Sequence, residues 1–349
     1  MALSRMRRVA AAAAVAVLSL SACSTGAAGE NESSGSAAAA EDQFPVTIKH
    51  AFGETTIEGV PERVAAVAWA NAETALALDV VPVGMPLIEF GGNDQGTTPW
   101  IDEALEDLDA PIGSENAPAQ YSEADGIAFD DVAATDPDVI LAAYSGLSQE
   151  DYDKLSKIAP VVAYPETAWG TSWQDTATMI GEALGKSDEA EQLVADTEQA
   201  ITDKAGEYPQ LEGKSFIYGN LAPGAENSVY TALDNRPKFM ESLGLTMAPV
   251  VAENTKGDEF YIPWSDENLN QLDSDIFVSW VASDEVADSI ASDPLLGQIP
   301  AVKNGGLVAD ADPTRVFSTS AINVLSIPYA LDNVVPMIAD AATAADEAK

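Results

Sequence analysis

The chain has 349 residues but only one cysteine, Cys23, and one histidine, His50. A lone cysteine excludes an intramolecular disulfide, a Cys-x-x-Cys redox pair and a thiolate metal cage. A Ser-His-Asp triad would have to use His50, which has no such context. Positive charge is equally scarce. Sixteen Lys and Arg stand against 57 Asp and Glu, for a formal charge of −41. A field of that sign does not attract nucleic acid and repels anionic surfaces. No Gly-x-Ser-x-Gly elbow occurs. The glycine-rich GGNDQG from Gly91 lacks the Lys-Ser/Thr of a phosphate loop. Carboxylates are so abundant that a chance pair has no weight, so composition leaves a secreted hydrolase open as the alternative from another class. A hydrophobic content of 46% nonetheless marks an ordinary globular chain with material for a core, and the length allows two domains.

The one cysteine has a telling position. Arg5, Arg7 and Arg8 precede the apolar VAAAAAVAVLSLSA, which is short for a membrane span and reads as a secretory signal over residues 1–22. Leu20-Ser21-Ala22-Cys23 resembles the bacterial lipobox. That resemblance implies a diacylglyceryl group on the Cys23 sulfur and Cys23 as the mature N-terminus. Two acyl chains anchor more stably than one. Residues 23–43 are rich in Ser, Gly, Ala and Glu, with one Asn, and read as a flexible tether. The folded part is expected outside the cell membrane and tied to it. Loss of residues 1–22 removes three arginines and no acid, moving the charge from −41 to −44.

Farther along, VTIKHAFGETTIEG alternates about Phe52-Gly53 and predicts a β-hairpin, with His50 solvated on it. Short apolar strands then alternate with helices: RVAAVAW, NAETALALDV, VPVGMPL, FDDVAATDPDVILAAY and LSQEDYDKLSKIAPVVAYP. That alternation predicts parallel β-α units. From Trp173 two helical segments follow. In the second, Ala190, Leu193, Val194, Thr197 and Ile201 form one apolar stripe, with Ser187 or Asp188 as a cap. Strands are expected again at KSFIYGNL, APVVAE, DIFVSWV and GLVADA. The expected layout is an N-terminal α/β lobe over 44–172, a helical connector over 173–208 and a C-terminal α/β lobe over 209–349. A faint repeat supports two similar lobes. DDVAATDPDVI from Asp130 aligns with ENLNQLDSDIF from Glu267, pairing Val132 with Leu269, Asp136 with Asp273 and Asp138 with Asp275.

Four stretches, VPERVAAVAWANAETALALDVVPVG, DDVAATDPDVILA…LSKIAPVV, VYTALDNRPKFMESLGL and DPLLGQIPAVKNGGLVA, resemble the ferric-siderophore class of ABC-transporter solute-binding lipoproteins. The resemblance runs from about Val46 to the C-terminal helix. It implies a non-enzymatic monomer with two parallel-sheet α/β sandwich lobes joined by one long helix, here Asp188–Tyr208, and a ligand cleft between the lobes. It also implies an ABC-transporter permease dimer as partner. Relatives of that fold that bind zinc or manganese directly use several histidines, which this chain lacks. A ferric siderophore needs no protein ligand to iron, because the chelator supplies the hard oxygens. Ferric citrate, haem and cobalamin remain alternatives. A ferric tris-catecholate is a trianion and would need several local cations, so neutral or cationic hydroxamates are favoured.

Ligands of parallel α/β lobes sit at the carboxyl ends of strands. That rule selects Trp69, Asn71, Phe90 and Tyr144 in the N-lobe, with Met85 and Ser145 beside them. In the C-lobe it selects Tyr218, Tyr230, Arg236, Trp280, Arg315 and Phe317, with Asn220. Beyond residue 22 the only arginines are Arg63, Arg236 and Arg315. Arg63 is expected to pair structurally with a nearby acid. Trp100, Trp169 and Trp264 are expected at the rim or in packing. By motif, the resemblance makes Asp130 and Glu267 the acids that dock one lobe each on the permease. Asp130 departs from the glutamate usual there. Either acid alone could serve only the dipole of its helix.

Overall fold

The structure, a computed structural model, describes residues 44–348. The predicted signal, Cys23 and the tether lie outside the described residues. Strands β1 (Val46–His50) and β2 (Gly53–Ile57) form the expected antiparallel hairpin. Its histidine is not solvated. His50 is buried, its Nε2 lies 2.9 Å from Thr55 Oγ1, and its Nδ1 accepts from Phe52 N–H at 3.2 Å. Burial lowers its pKa. The hairpin is pinned to the N-lobe, where Ala51 N–H donates to Tyr164 O and Thr55 Oγ1 to Val161 O.

The N-lobe sheet contains β3 (Val64–Ala66), β4 (Gly84–Pro86), β5 (Ala119–Tyr121), β6 (Val139–Ala142) and β7 (Val161–Ala163), in the order β5-β4-β3-β6-β7. Every pairing is parallel. Its three central strands are buried at every residue, as expected of a sheet covered on both faces. The covering helices include α1 (Asn71–Ala77), α2 (Pro99–Asp107), α3 (Phe129–Ala134) and α4 (Gln149–Leu155).

Two helices then carry the chain to the other lobe, α5 (Trp173–Leu184) and α6 (Ser187–Glu207). Helix α6 has 21 residues and spans about 30 Å at 1.5 Å per residue. Its apolar stripe divides between two cores. Ala190 and Leu193 pack with the N-lobe, and Leu193, Val194 and Ile201 with the C-lobe. Helix α5 divides likewise, with Trp173 and Ala177 in one core and Ile180, Ala183 and Leu184 in the other. The capping signal is one residue out. Lys186 stands at the N-cap and Ser187 is already helical.

The C-lobe contains β8 (Ser215–Asn220), β9 (Asn227–Tyr230), β10 (Thr246–Met247), β11 (Tyr261–Trp264), β12 (Ile276–Trp280) and β13 (Leu307–Asp310). Strands β8, β10, β12 and β13 are parallel, while β9 and β11 extend one edge in antiparallel pairs, so this sheet is mixed. Helices α7 (Asn235–Ser242), α8 (Pro249–Asn254), α9 (Asp284–Ile290), α10 (Pro300–Lys303), α11 (Pro313–Ser320), α12 (Ser326–Asn333) and α13 (Val335–Glu347) complete it. The segment APVVAE, expected as a strand, is the start of α8. Pro249 occupies the first helical position, where its fixed φ and missing N–H suit a helix start.

The internal repeat has a structural counterpart. In the N-lobe, Asp138 accepts from the N–H of Glu62 and Arg63 at 2.8 and 3.0 Å, and its own N–H donates to Arg63 O. In the C-lobe, Asp275 accepts from Ser215 N–H at 2.9 Å and donates back to Ser215 O. Each aspartate thus fastens the start of a central strand, β6 or β12, to its parallel neighbour β3 or β8. Val132 and Leu269 are the matched buried anchors, although the C-lobe counterpart of α3 is a 3₁₀ turn, Asp266–Gln271. Arg63 is structural but pairs with carbonyls. Its guanidinium donates to Asp136 O at 2.6 Å and to Thr135 O, at the end of α3.

Glu73 gives the fold a pH dependence. It is the third residue of α1 and buried, and burial raises its pKa to about 7 against the pull of the backbone N–H groups of Glu73 and Ala70. In the unfolded chain the carboxyl titrates near its model value of 4.5. The folded state therefore binds the proton more tightly. The stability linked to Glu73 is complete below that value and lost as pH rises through about 7. We expect Glu73→Gln to melt above the parent at pH 8 and to show a shallower fall in Tm between pH 5 and pH 8. Parallel Tm curves for parent and variant would contradict this.

Candidate functional site

The carboxyl ends of β3, β6 and β12 open on a cavity of about 570 Å³. Its N-lobe wall is Trp69, after β3, with Phe90, after β4, Tyr144, after β6, and Trp169, after β7. Its C-lobe wall includes Tyr230 at the end of β9, Phe260 and Tyr261 at the start of β11, and Trp280 at the end of β12. Ser228, Asp234, Arg236, Val316 and Ser320 complete the lining. Three aromatics keep large free surfaces: Trp69 is 39% exposed, Phe90 48% and Tyr261 46%. These rings are the available contact faces for a bulky ligand.

The N-lobe wall is built on constrained backbone. Trp69 lies between Ala68 (φ 58°) and Ala70 (φ 68°), and Trp169 itself has φ 60°. A left-handed conformation costs an L-residue roughly 1–2 kcal/mol, so each must be held by its surroundings. Ala68 N–H donates to Glu123 Oε2 at 3.0 Å, and Trp169 N–H to Ser145 O at 2.9 Å. Trp169 also needs Gly146. A Cβ there would stand 2.2 Å from the indole Nε1. The rings meet edge to face or tilted, Trp69 with Trp169 at 5.7 Å between centroids and Tyr144 with Trp169 at 5.4 Å. Such contacts stiffen an aromatic wall.

The C-lobe wall holds the cavity's charge. Asp234 is the N-cap of α7 and accepts from Arg236 N–H at 2.8 Å. The Arg236 side chain returns to the same carboxylate through Nε at 2.8 Å and Nη2 at 2.6 Å, a bidentate pair. Its guanidinium carbon lies 3.4 Å from the centroid of the Tyr230 ring, and Tyr230 Oη accepts from Trp280 Nε1 at 3.0 Å. Burial opposes the Arg236 charge, but Asp234 outweighs it and holds the pKa above its ordinary value. Tyrosines aside, Asp234 and Arg236 are the titratable residues of the lining, and their formal charges cancel. In the facing N-lobe wall, burial and then the negative charge of Asp234 raise the Tyr144 pKa, so that wall stays uncharged at neutral pH.

The strand-end rule brings six of its ten residues into one cavity: Trp69, Phe90, Tyr144, Tyr230, Arg236 and Trp280. It does not bring the other four. Asn71 is buried as a brace. Its Nδ2 donates to Val67 O, Trp69 O and Tyr144 O, and its Oδ1 accepts from Tyr144 N–H. Tyr218 is in the C-lobe core with Oη 3.0 Å from Thr319 Oγ1, and burial raises its pKa to about 12. Arg315 turns to Asp310 and Asp312 instead of the cavity. Phe317 is 1% exposed and packs into the N-lobe core between Trp69 and Trp100. Met85 and Ser145 are also buried, and Asn220 bonds Trp280 O.

Trp169, expected at the rim or in packing, is part of the N-lobe wall. Phe260 and Tyr261 follow from the antiparallel edge strand β11, which the parallel rule does not address. Their sequence signal was FYIPW, an aromatic cluster with strand-like alternation. Asp130 and Glu267 are both exposed in the first turns of their helices. Among the described residues, no group of three or more His, Cys, Asp or Glu could hold a metal, and no helix is long and apolar enough to cross a membrane.

The comparisons agree with this geometry. The family model for periplasmic binding protein matches residues 64–313. The Fe(3+)-citrate-binding protein YfmC of Bacillus subtilis is 27% identical over 294 residues, covering 79% of this chain and 84% of that protein. The ferric enterobactin-binding periplasmic protein FepB of Escherichia coli is 27% identical over 295 residues, covering 81% and 89%. Among solved structures, PiaA of Streptococcus pneumoniae TIGR4 in complex with ferrichrome superposes with a TM-score of 0.80 at 33% identity. That match covers 85% of this chain and 99% of PiaA. With the two lobes, the linking helix and a matched stretch spanning most of its length, the chain belongs to the periplasmic binding protein family, whose members bind substrates and are not enzymes.

Proposed function

We propose that this protein captures a ferric siderophore outside the cell membrane and delivers it to the permease dimer of an ABC transporter. The observation that carries this reading is the cavity itself. It has eight aromatic side chains, one bidentate Arg–Asp pair and no metal-ligand cluster among the described residues. Such a site suits iron wrapped in an organic chelator, which needs apolar walls and few polar contacts. Iron is the cargo and is held only through the chelator. The relatives support the cargo class, since their names include ferric citrate and ferric enterobactin and one structure holds ferrichrome.

The cancelling charges favour a neutral or cationic chelate. A trianionic tris-catecholate finds one cation in the lining, and Asp234 already engages it at Nε and Nη2. We expect ferric tris-hydroxamates to bind more tightly than ferric tris-catecholates when tryptophan fluorescence quenching is followed. A preference for the trianion would overturn the charge argument. Within the site, Arg236→Gln should weaken ferrichrome binding by roughly 10- to 100-fold, the range for one charge-assisted hydrogen bond. Arg315→Gln, outside the cavity, should change it by less than about twofold on the additivity of remote sites. The reverse order would move the site.

Delivery rests on the two acids. Asp130 on α3 and Glu267 on the 3₁₀ turn are exposed, one per lobe, at matched places in the repeat. They are proposed to pair with arginines of the two permease subunits and so fix the docking register. Rim pairs of this kind set association rate and orientation more than total affinity. Asp130→Lys with Glu267→Lys should leave chelate binding intact and abolish iron uptake by cells. Normal uptake at normal expression would limit both residues to helix-dipole roles. The anchor is proposed at Cys23. Cys23→Ser should release the protein from membranes or leave it unprocessed, and membrane fractionation identical to the parent would exclude the lipid.

A further inference from the structure

Trp69 presents the most exposed tryptophan face of the cavity from a backbone that alanine does not favour. Its two neighbours, Ala68 and Ala70, are left-handed at φ 58° and 68° without being glycine. Left alone, such a loop would relax and swing the indole. Two side chains hold it. On the carboxyl flank, Asn71 Nδ2 grips Val67 O at 2.8 Å and Trp69 O at 3.0 Å. On the amino flank, Glu123 Oε2 accepts the Ala68 N–H at 3.0 Å across 55 residues of sequence.

Glu123 follows β5 and lies outside the main cavity. It lines a neighbouring cavity of about 230 Å³ that shares Trp69 and Phe90 with the main one. Its carboxyl is mostly buried, and burial raises its pKa to about 7. A partly desolvated acid facing a backbone N–H, near Glu89 of like charge, is an unfavourable arrangement unless the contact does something for the fold or the site.

We infer that Glu123 is a positioning residue for ligand capture, which sets Trp69 at the cavity wall by holding the Ala68 N–H. The inference rests on the reading that Trp69 contacts the chelate. The element required is the reach of an acceptor oxygen, not the negative charge. Two near-isosteric variants separate these. Glu123→Asp keeps the charge and withdraws the oxygen by one methylene. Glu123→Gln keeps an oxygen at full reach and removes the charge.

The test uses the protein labelled with fluorotryptophan, whose six tryptophans give six ¹⁹F signals. Trp69→Phe assigns the Trp69 signal, and the other five report that each variant is folded. Glu123→Asp should shift or broaden the Trp69 signal and weaken ferrichrome binding by about fivefold, the effect of one ordinary hydrogen bond. Glu123→Gln should keep the signal in place and affinity within about twofold, well inside that effect. The inference fails if Glu123→Asp leaves the Trp69 signal unmoved, or if Glu123→Gln disturbs it as much. The NMR arm needs no ligand. Should Trp69→Ala bind ferrichrome as tightly as the parent, the chelate-contact reading falls, while the spectra still decide whether Glu123 positions the loop.

Discussion

The site depends on one side chain that crosses between lobes. Phe317 belongs to α11, in the C-lobe chain, yet it is buried in the N-lobe core, stacked on Trp100 and set edge-on to Trp69. Full burial of such a ring contributes about 1.5–3 kcal/mol. The contact is close enough to require Gly91, where a Cβ would stand 2.5 Å from Phe317 Cβ and from Pro313 O, and where φ is +80°. Thr314 Oγ1 donates to Gly91 O at 2.9 Å beside it. With α5 and α6, α11 gives the lobes a second connection. The two aromatic walls therefore face each other across a cavity bridged by a packed contact between the lobes.

Around that cavity the electrostatics are unusual for so acidic a chain. The formal charge is −41, but the lining sums to zero because Asp234 and Arg236 neutralise each other. Outside the cavity, the general field repels anions, and salt screens it within about 8–10 Å. Inside, the proposed site offers ring faces and a few polar groups. Arg236 is stacked on Tyr230 and Tyr230 bonds Trp280, so the three side chains form one connected surface. Preorganisation of this kind lowers the ordering cost of binding.

Much of this was legible in the sequence, for physical reasons that also show where legibility ended. Four of the five N-lobe sheet strands, β3, β4, β6 and β7, read correctly because a parallel sheet buried on both faces leaves continuous apolar runs such as VILA. The short edge strand β5 has only one buried residue and gave no such signal. The repeated Asp-x-Asp was visible because the same strand-start clamp is used in both lobes. The C-lobe edge was not visible. Strands β9 and β11 are short and antiparallel, and β11 has one buried residue in four, so Phe260 and Tyr261 escaped a rule made for parallel strand ends. Among the ten candidate residues, side-chain direction decided the outcome. Arg236 and Arg315 both follow strands into helix starts and both meet aspartates, but only Arg236 lies over a cavity aromatic. Sequence position cannot distinguish them. In the GGNDQG stretch, the close approach of Gly91 to Phe317 needed the partner helix to be seen.

The central claim is that iron reaches this protein already wrapped and is held between two aromatic walls by contacts to the wrapping. Anomalous diffraction at the iron edge from crystals grown with ferrichrome tests it most directly. The account predicts one iron peak in the cavity between Trp69 and Tyr230, with only chelator oxygens in its coordination shell. An iron atom ligated by any protein side chain, or a chelate bound elsewhere with the cavity empty, would contradict it.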